Sequence, residues 1–280
     1  MIHSREFEFS DVSFNRIRQF VLEQTGIVLG HMKKDMVYGR LAKHLRTSEI
    51  EDFEQFCDEI DSGNQDEQEF LINAITTNLT SFFRENHHFE YLATKVLPEL
   101  ILKNKESKRL RIWSAGCSTG EEAYSIAMIL KESLLDFEEW DVKILATDLD
   151  ANVLTHAAKS VYQADSIIDM DEARLSKWFK YGRNEHVDQV KVKDELQDII
   201  RFKRLNLLHQ WPMSGSFDII FCRNVVIYFD KTTQRSLFER YANILSPNGY
   251  LFLGHSESLH NVSTGFELIG QTIYRKRESQ

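Results

Sequence analysis

Through the first ~75 positions apolar residues recur at three- and four-residue intervals and Gly interrupts them, a pattern that predicts a run of short helices. Ser10 or Asp11 stands where an N-cap belongs, Phe14, Ile17 and Val21 lie along one stripe, and Gly26 stands where a left-handed residue would end the helix. A second helix is predicted over about Met32 to Arg46. At ~100° per residue, Val37, Tyr38, Leu41 and Leu45 share an apolar arc, Lys33, Arg40 and Lys43 gather on the neighbouring arc, and Lys34 intrudes on the apolar one. Acidic helices are predicted near 49–61 and 66–76. From about Arg109 the rhythm changes: short β-rich runs alternate with helical stretches, as in a parallel α/β sheet. The predicted order is strand Arg109 to Ala115, helix Glu121 to Leu135, strand Val142 to Thr147, helix Ala151 to Lys159, strand Phe217 to Cys222, helix Thr232 to Leu245, strand Gly249 to Gly254, and a closing element over Phe266 to Arg275.

Residues 162–204 break that rhythm. Asp169 and Glu172 fit a capping box for a helix through Phe179, and Val190 to Val192 and Ile199 to Lys203 read as paired strands. The expected organisation is therefore a helical N-terminal domain over 1–76, an interdomain segment over 77–94, and an α/β domain over 95–280 carrying an inserted β-subdomain at about 162–204.

Composition narrows the class. Of 280 residues 42% are apolar and 28% charged, which suits a folded chain, and apolar runs such as Phe217 to Cys222 are far too short to span a bilayer. The N-terminal residues lack the basic and apolar regions of a secretory signal, so a cytoplasmic protein without membrane insertion is expected. Cys57, Cys117 and Cys222 lie far apart and form no Cys-x-x-Cys pair, which predicts buried reduced thiols. A net charge of −9 disfavours nucleic acid as a partner. Charge is also segregated: residues 31–48 carry Lys33, Lys34, Arg40, Lys43 and Arg46 against Asp35 alone, whereas residues 49–70 hold ten acids and no base.

Candidate chemistry begins at Trp113-Ser-Ala-Gly-Cys-Ser-Thr-Gly-Glu-Glu-Ala, where a strand passes through a glycine-bearing turn into a helix. Gly116 and Gly120 let backbone approach a ligand closely, as in nucleotide-binding turns, though a purely structural turn has the same spacing. Gly116-Cys-Ser118-Thr-Gly120 also matches a nucleophile elbow, with Ser118, Asp218 and His255 in triad order, but no Gly-rich oxyanion segment precedes it. Glu121 and Glu122 oppose a dinucleotide, because two carboxylates at the helix start repel pyrophosphate. They suit a phosphate-free ligand with a cationic end, or simply the helix dipole. Asp148 closes the next strand, 28 positions beyond Gly120, where an acid can accept both ribose hydroxyls. Asn206 can read an adenine edge with Leu207 against its face, or cap a loop.

Four segments together resemble one family: Thr-Thr-Asn78-Leu-Thr80-Ser-Phe-Phe-Arg84-Glu, the Trp113 to Glu122 run, Phe-Cys-Arg223-Asn224-Val-Val-Ile-Tyr228-Phe, and Gly254-His-Ser-Glu-Ser. The resemblance is to CheR-type chemotaxis receptor methyltransferases and runs from about Gly26 to Tyr274. It implies an all-helical N-terminal domain, a Rossmann-like S-adenosylmethionine-dependent methyltransferase domain and a small β-subdomain inserted in it. It further implies that glutamate side chains on the cytoplasmic domain of transmembrane chemoreceptors become γ-methyl esters, leaving S-adenosyl-L-homocysteine. Carried over by position, Asn78, Thr80 and Arg84 of the interdomain segment line the cofactor site with Glu122, Asp148, Asn206, Leu207, Arg223 and Asn224, and Gly116, singled out by its turn, is counted with them. Arg84 and Tyr228 are the candidates for arranging the substrate carboxyl and the sulfonium. No metal or Ser-His relay is required, because a carboxylate with a pKa near ~4.3 is already ionised at neutral pH.

With the family in view, Lys33, Arg40, Lys43 and Arg46 become candidates for seating the acidic receptor helix. In some relatives the β-subdomain clamps a receptor's C-terminal peptide through a glycine-rich turn. Here Lys180-Tyr-Gly182-Arg183-Asn-Glu-His has one Gly, so that tether is not expected. A monomer is expected. The other classes kept open are a serine hydrolase using Ser118 and a non-catalytic cofactor-binding scaffold. A nucleic-acid methyltransferase is disfavoured by overall acidity and by the lack of an Asn/Asp-Pro-Pro-Tyr-type motif after the Phe217 strand.

Overall fold

Two capping residues bracket the first helix as the pattern requires. Ser10 Oγ accepts the Ser13 N–H at 3.0 Å, and Gly26, at φ 73°, returns its own N–H to the Leu22 carbonyl, so α1 spans Asp11–Thr25. A computed structural model describes residues 5–278; the part of the N-terminal reading that falls on residues 1–4 lies outside them. The chain forms two units, one of the residues up to Thr77 with Tyr228–Thr233, the other of Asn78–Ile227 with Gln234 onward.

In the first unit a 3-10 turn, His31–Lys33, leads into α2 (Lys34–Leu45), followed by α3 (Phe53–Ser62) and α4 (Gln65–Ile75). Asp52 caps α3 through the N–H groups of Glu54 and Gln55, and Asn64 caps α4 through those of Asp66 and Glu67. Phe14, Val37, Leu41, Phe53, Phe56 and Leu71 are all fully buried at the centre. Burying each is worth about 1.5–3 kcal/mol, which is what holds helices this short. Lys34, the intruder on the apolar arc, passes over the Phe9 ring and ends at Asp11 Oδ1, 2.6 Å away, so its stem is buried and its charge paired.

The second unit opens with α5 (His87–Tyr91), a π turn over Leu92–Val96, and α6 (Leu97–Lys103). Then follow β1 (Arg109–Ala115), α7 (Glu121–Ser133), β2 (Asp141–Asp148), α8 (Ala151–Lys159), β3 (Val161–Gln163), α9 (Glu172–Trp178), β4 (Phe179–Tyr181), β5 (Gln189–Val192), α10 (Asp194–Gln197), β6 (Ile200–Arg204), β7 (Phe217–Cys222), α11 (Lys231–Ile244), β8 (Leu245–Leu253), β9 (Phe266–Leu268) and β10 (Ile273–Lys276). The main sheet runs β6-β2-β1-β7-β8-β10-β9, its first five strands parallel and its last two antiparallel. Strands covered on both faces read as continuous apolar runs, and all six residues of β7 are buried. The chain moves outward from β1 to β2 and β6, then returns to place β7 on the other side of β1. That reversal opens a crevice at the carboxyl ends of β1 and β7, where ligands bind in such sheets.

Two expectations need correction. The run Ile199 to Lys203 does not pair with Val190 to Val192. As β6 it joins the main sheet beside β2, Ile144 opposite Ile200, while β5 pairs with β3 and β4 in a separate three-stranded sheet. An alternating pattern specifies which face of a strand is buried, not which neighbour it takes, and α10 turns the chain away between the two. The insertion's own sheet thus ends at Val192. The cap of α9 is Asp171, whose carboxylate accepts the Arg174 N–H at 2.9 Å, and not Asp169. The element over Phe266 to Arg275 closes the sheet as a hairpin of β9 and β10. Among the described residues no helix is long and apolar enough to cross a membrane.

Candidate functional site

The turn after β1 is fixed by β2 and closed by glycine. Gly116 and Cys117 both donate N–H to the Thr147 carbonyl, at 2.8 and 2.9 Å. Gly116 sits at φ 88°, and a Cβ there would lie 2.3 Å from Val225 Cγ2. Gly120, at φ 98°, would drive a Cβ to within 2.8 Å of Ala157 Cβ. No other residue fits either position without displacing its neighbours. Cys117 is buried between them, and burial pushes its thiol well above the usual cysteine range.

Asp148, at the end of β2, closes the floor of this turn. One carboxylate oxygen accepts the Ser118 N–H at 2.8 Å, the other the Asp150 N–H at 3.1 Å. Burial raises its pKa while those N–H groups pull it back. Ser118 Oγ donates to the Asn78 carbonyl at 2.8 Å, and Asn78 Nδ2 donates to Asp150 at 2.8 Å. Asn78, Ser118 and Asp148 therefore form one hydrogen-bonded group.

Beside it lies a buried charge cluster. Glu122 accepts Ser114 Oγ at 2.7 Å and stands 3.2 Å from Arg223 Nη1. Arg223 Nη2 lies 3.3 Å from Glu85 and also donates to the Arg84 carbonyl, while Glu85 takes His255 Nδ1 at 2.8 Å. Burial pushes Glu85 up, but the His255 hydrogen bond and the Arg223 charge win and hold it down at about 2. Burial raises Glu122 despite Arg223. His88 is fully buried, donates to the Gln271 carbonyl at 2.9 Å, and is lowered to about 4 by burial and by Arg223. Two carboxylates thus share one buried guanidinium, and the cluster still favours a cation. Glu85, His87 and His88 place ligand atoms within 4.8 Å of one another, but the guanidinium 3.3 Å from Glu85 opposes a metal ion there.

Arg84 lies between Phe83 at φ 53° and Glu85 at φ 57°, two non-glycine residues in left-handed conformation. Such backbone persists only where its surroundings impose it. Arg84 Nη1 donates to the Leu79 carbonyl at 2.8 Å. Thr80 is half-buried in the same loop. Leu205 donates N–H to the Asp148 carbonyl at 2.9 Å, which brings Asn206 and the buried Leu207 to the end of β2. There Asn206 Oδ1 accepts the Leu208 N–H at 2.9 Å, so its carbonyl side closes the local turn. Asn224, at φ 58°, follows β7. These residues share the carboxyl edge of the second unit's sheet. Tyr228 belongs to the first unit, where its carbonyl accepts the Val28 N–H at 2.9 Å.

The four basic candidates on and around α2 divide. Arg40 donates to the carbonyls of Ala74, Ile75 and Thr76 at 2.8–3.0 Å, capping the C-terminus of α4, and Arg46 pairs with Glu6 at 2.6 Å. Lys33 and Lys43 are exposed. The hydrolase reading fails on geometry. Ser118 is bonded to a carbonyl and His255 to Glu85, while Asp218 accepts the Arg111 N–H near the start of β1, at the opposite end of the sheet. Two residues went unassigned in the sequence, Glu85 and Glu257. Both lie in the family-like segments, but an acid's letter does not reveal whether it faces solvent or a guanidinium.

A crevice at the β1/β7 switch, two obligate glycines, an acid closing the next strand, and acids where a phosphate would need donors suit a cationic, phosphate-free nucleoside. The comparisons with known proteins agree. Residues 78–275 match the CheR methyltransferase, SAM binding domain, and residues 13–76 the CheR methyltransferase, all-alpha domain. The chain belongs to the CheR methyltransferase family. It is 40% identical over 274 residues to a chemotaxis protein methyltransferase of Salmonella typhimurium, covering 97% of this chain and 92% of that one. It is 41% identical over 268 residues to one of Escherichia coli, covering 95% and 91%. Chemotaxis protein methyltransferase 2 of Pseudomonas aeruginosa is 40% identical over 272 residues, covering 97% and 95%. The protein is an S-adenosylmethionine-dependent methyltransferase, and the residues at its crevice fit that donor.

Proposed function

We propose that this chain esterifies glutamate side chains on the cytoplasmic helical bundle of transmembrane chemoreceptors, giving γ-methyl esters for chemotactic adaptation. The observation that carries the reading is the match of both units, over nearly the whole chain, to proteins named for chemotaxis methylation. When bound, S-adenosylmethionine supplies a methyl group activated by its sulfonium. The chain's task is then to align, desolvate and exclude water, because the accepting carboxylate is ionised at neutral pH and loses its charge as the ester forms. Asp148 is positioned to take the ribose hydroxyls and Glu122 the ammonium end; Asn206 and Leu207 address the adenine. Arg223, holding Glu122 and Glu85 together, keeps two acids ionisable in a buried place. Arg84 arranges the reacting carboxyl and sulfonium.

Docking falls to the exposed lysines of the helical unit. Lys33 and Lys43 carry charge that an acidic receptor helix would meet, whereas Arg40 and Arg46 are engaged within their own unit. The protein is expected to work in the cytoplasm as a monomer. The deciding experiment incubates it with receptor-bearing membranes and donor carrying a labelled methyl. Base-labile label on receptor glutamates is expected; alkali-stable label, or none, would refute the proposal.

A further inference from the structure

One side chain gathers the loop that follows β7. Glu257 is buried, 4% exposed, and its Oε1 accepts the N–H groups of Val225 at 2.9 Å, Val226 at 2.8 Å and Ile227 at 3.3 Å. Its Oε2 accepts those of Asn224 at 2.9 Å and Gly254 at 2.6 Å. Four consecutive backbone N–H groups turned toward one point make a concavity of the kind that binds anions. Here the anion is the chain's own. Hydrogen bonds to an ionised carboxylate are about twice as strong as neutral ones, so a single side chain fixes the direction of four successive peptides. Asn224 sits at φ 58°, left-handed backbone that asparagine adopts more readily than most residues, with its N–H turned to the carboxylate. Gly254 serves the same approach: a Cβ there would lie 2.6 Å from Asn224 Nδ2 and 2.9 Å from its backbone nitrogen.

We infer that Glu257 is a positioning residue for donor binding, filling a backbone anion cradle so that Arg223 and Asn224 leave β7 in the directions the crevice needs. The inference rests on the proposed reading of Arg223 and Asn224 as donor-site residues. It assigns a role to the acid of Gly254-His-Ser-Glu257 that neither packing nor charge pairing explains, since no basic side chain is bonded to it among the described residues.

The test vacates the cradle and refills it. S-adenosylhomocysteine is titrated calorimetrically into the full chain and into Glu257→Ala, each with 100 mM formate or with chloride at equal ionic strength, alongside thermal melts. Loss of one or two charge-assisted contacts to the ligand weakens binding by about ten- to a hundredfold, so Glu257→Ala is expected to bind roughly ten- to a hundredfold more weakly. Formate, a free carboxylate that fits the vacated space, is expected to recover much of that loss and to raise the variant's melting temperature, while leaving the unsubstituted protein unchanged. Glu257→Asp, one methylene short, is expected to fall between. Wild-type affinity in Glu257→Ala, or a folded weak variant that formate does not improve, would overturn the inference. If Glu257→Ala does not fold in either salt, Glu257→Gln is used, since it keeps one acceptor oxygen but turns an NH2 toward N–H donors. Weakening of about tenfold is then expected, and unchanged affinity would overturn the inference. Failure of the unsubstituted chain to bind S-adenosylhomocysteine would instead overturn the donor-site reading itself.

Discussion

The basic helix α2 and the turn after β1 both concentrate charge, and they use it in opposite ways. On α2 the charges serve the helical unit's own fold: Lys34 reaches Asp11, Arg46 reaches Glu6, and Arg40 caps α4. The acidic run that follows is likewise engaged, with Arg16 on Asp58 and Asp61 and His44 on Glu67. At the turn, Glu122 and Arg223 are buried with Glu85 half-buried beside them, and Arg223 Nε and His88 Nδ1 have no hydrogen-bond partner among the described residues. A fold could dispense with such groups more cheaply than keep them. Dense charge in a sequence is therefore weak evidence of a site, and buried charge that remains incompletely matched is strong evidence.

Substitutions can break or sharpen that contrast. The largest effect is expected from Arg223→Ala, which strands the buried Glu122 and removes one partner of Glu85, and should lower unfolding stability by about 3–5 kcal/mol in urea melts, abolishing methyl transfer. Loss of less than about 1 kcal/mol would mean the cluster behaves like a surface pair. Acid should act next. His88 is held at about 4 against an ordinary 6.5, so the unfolded chain takes up a proton first and stability is lost as pH falls from 6.5 toward 4. Glu85, held at about 2 against 4.5, adds stability above 4.5 that is lost as pH falls from there toward 2. The His88 arm is worth about 2–3 kcal/mol, and His88→Gln is expected to flatten the melting profile between pH 4 and 6.5.

Smaller effects follow in order. Arg40→Ala is expected to cost about 1–2 kcal/mol by leaving the last carbonyls of α4 unpaired, with little change in receptor methylation by the protein that remains folded; a large methylation loss at full stability would restore Arg40 to the docking surface. Gly116→Ala, which puts a Cβ on left-handed backbone 2.3 Å from Val225 Cγ2, is expected to cost about 1–2 kcal/mol in stability and to weaken donor affinity measurably in calorimetry. Lys33→Glu with Lys43→Glu should change stability by less than ~0.5 kcal/mol. It should slow receptor methylation several-fold at low salt, with the difference shrinking as ionic strength rises. Equal rates at every salt concentration would remove α2 from the docking surface.

Much of the fold was legible because period and punctuation coincide. The bounds of β1, α8 and β7 follow directly from the apolar runs, and Ser10 and Gly26 mark the ends of α1. Partner choice was not legible: Ile200 to Arg204 has the pattern of a hairpin strand but lies at the edge of the main sheet. Gly116, Gly120 and Asp148 could be singled out in the sequence because a turn and a strand end mark them, whereas Arg223 was singled out only through the family resemblance. The roles of Arg40 and Glu257 were not readable, since each bonds backbone atoms more than 30 residues away.

Cys117 has a consequence for an enzyme of this chemistry. A sulfonium donor is an alkylating reagent, and a thiolate is a softer, more reactive acceptor than any carboxylate. The sulfur in the turn after β1 is sealed by burial, which also favours its protonated form, so the catalyst is spared from becoming its own victim. Prolonged incubation with donor alone should leave the intact mass of the protein unchanged, and iodoacetamide should leave this sulfur unmarked until the chain is denatured.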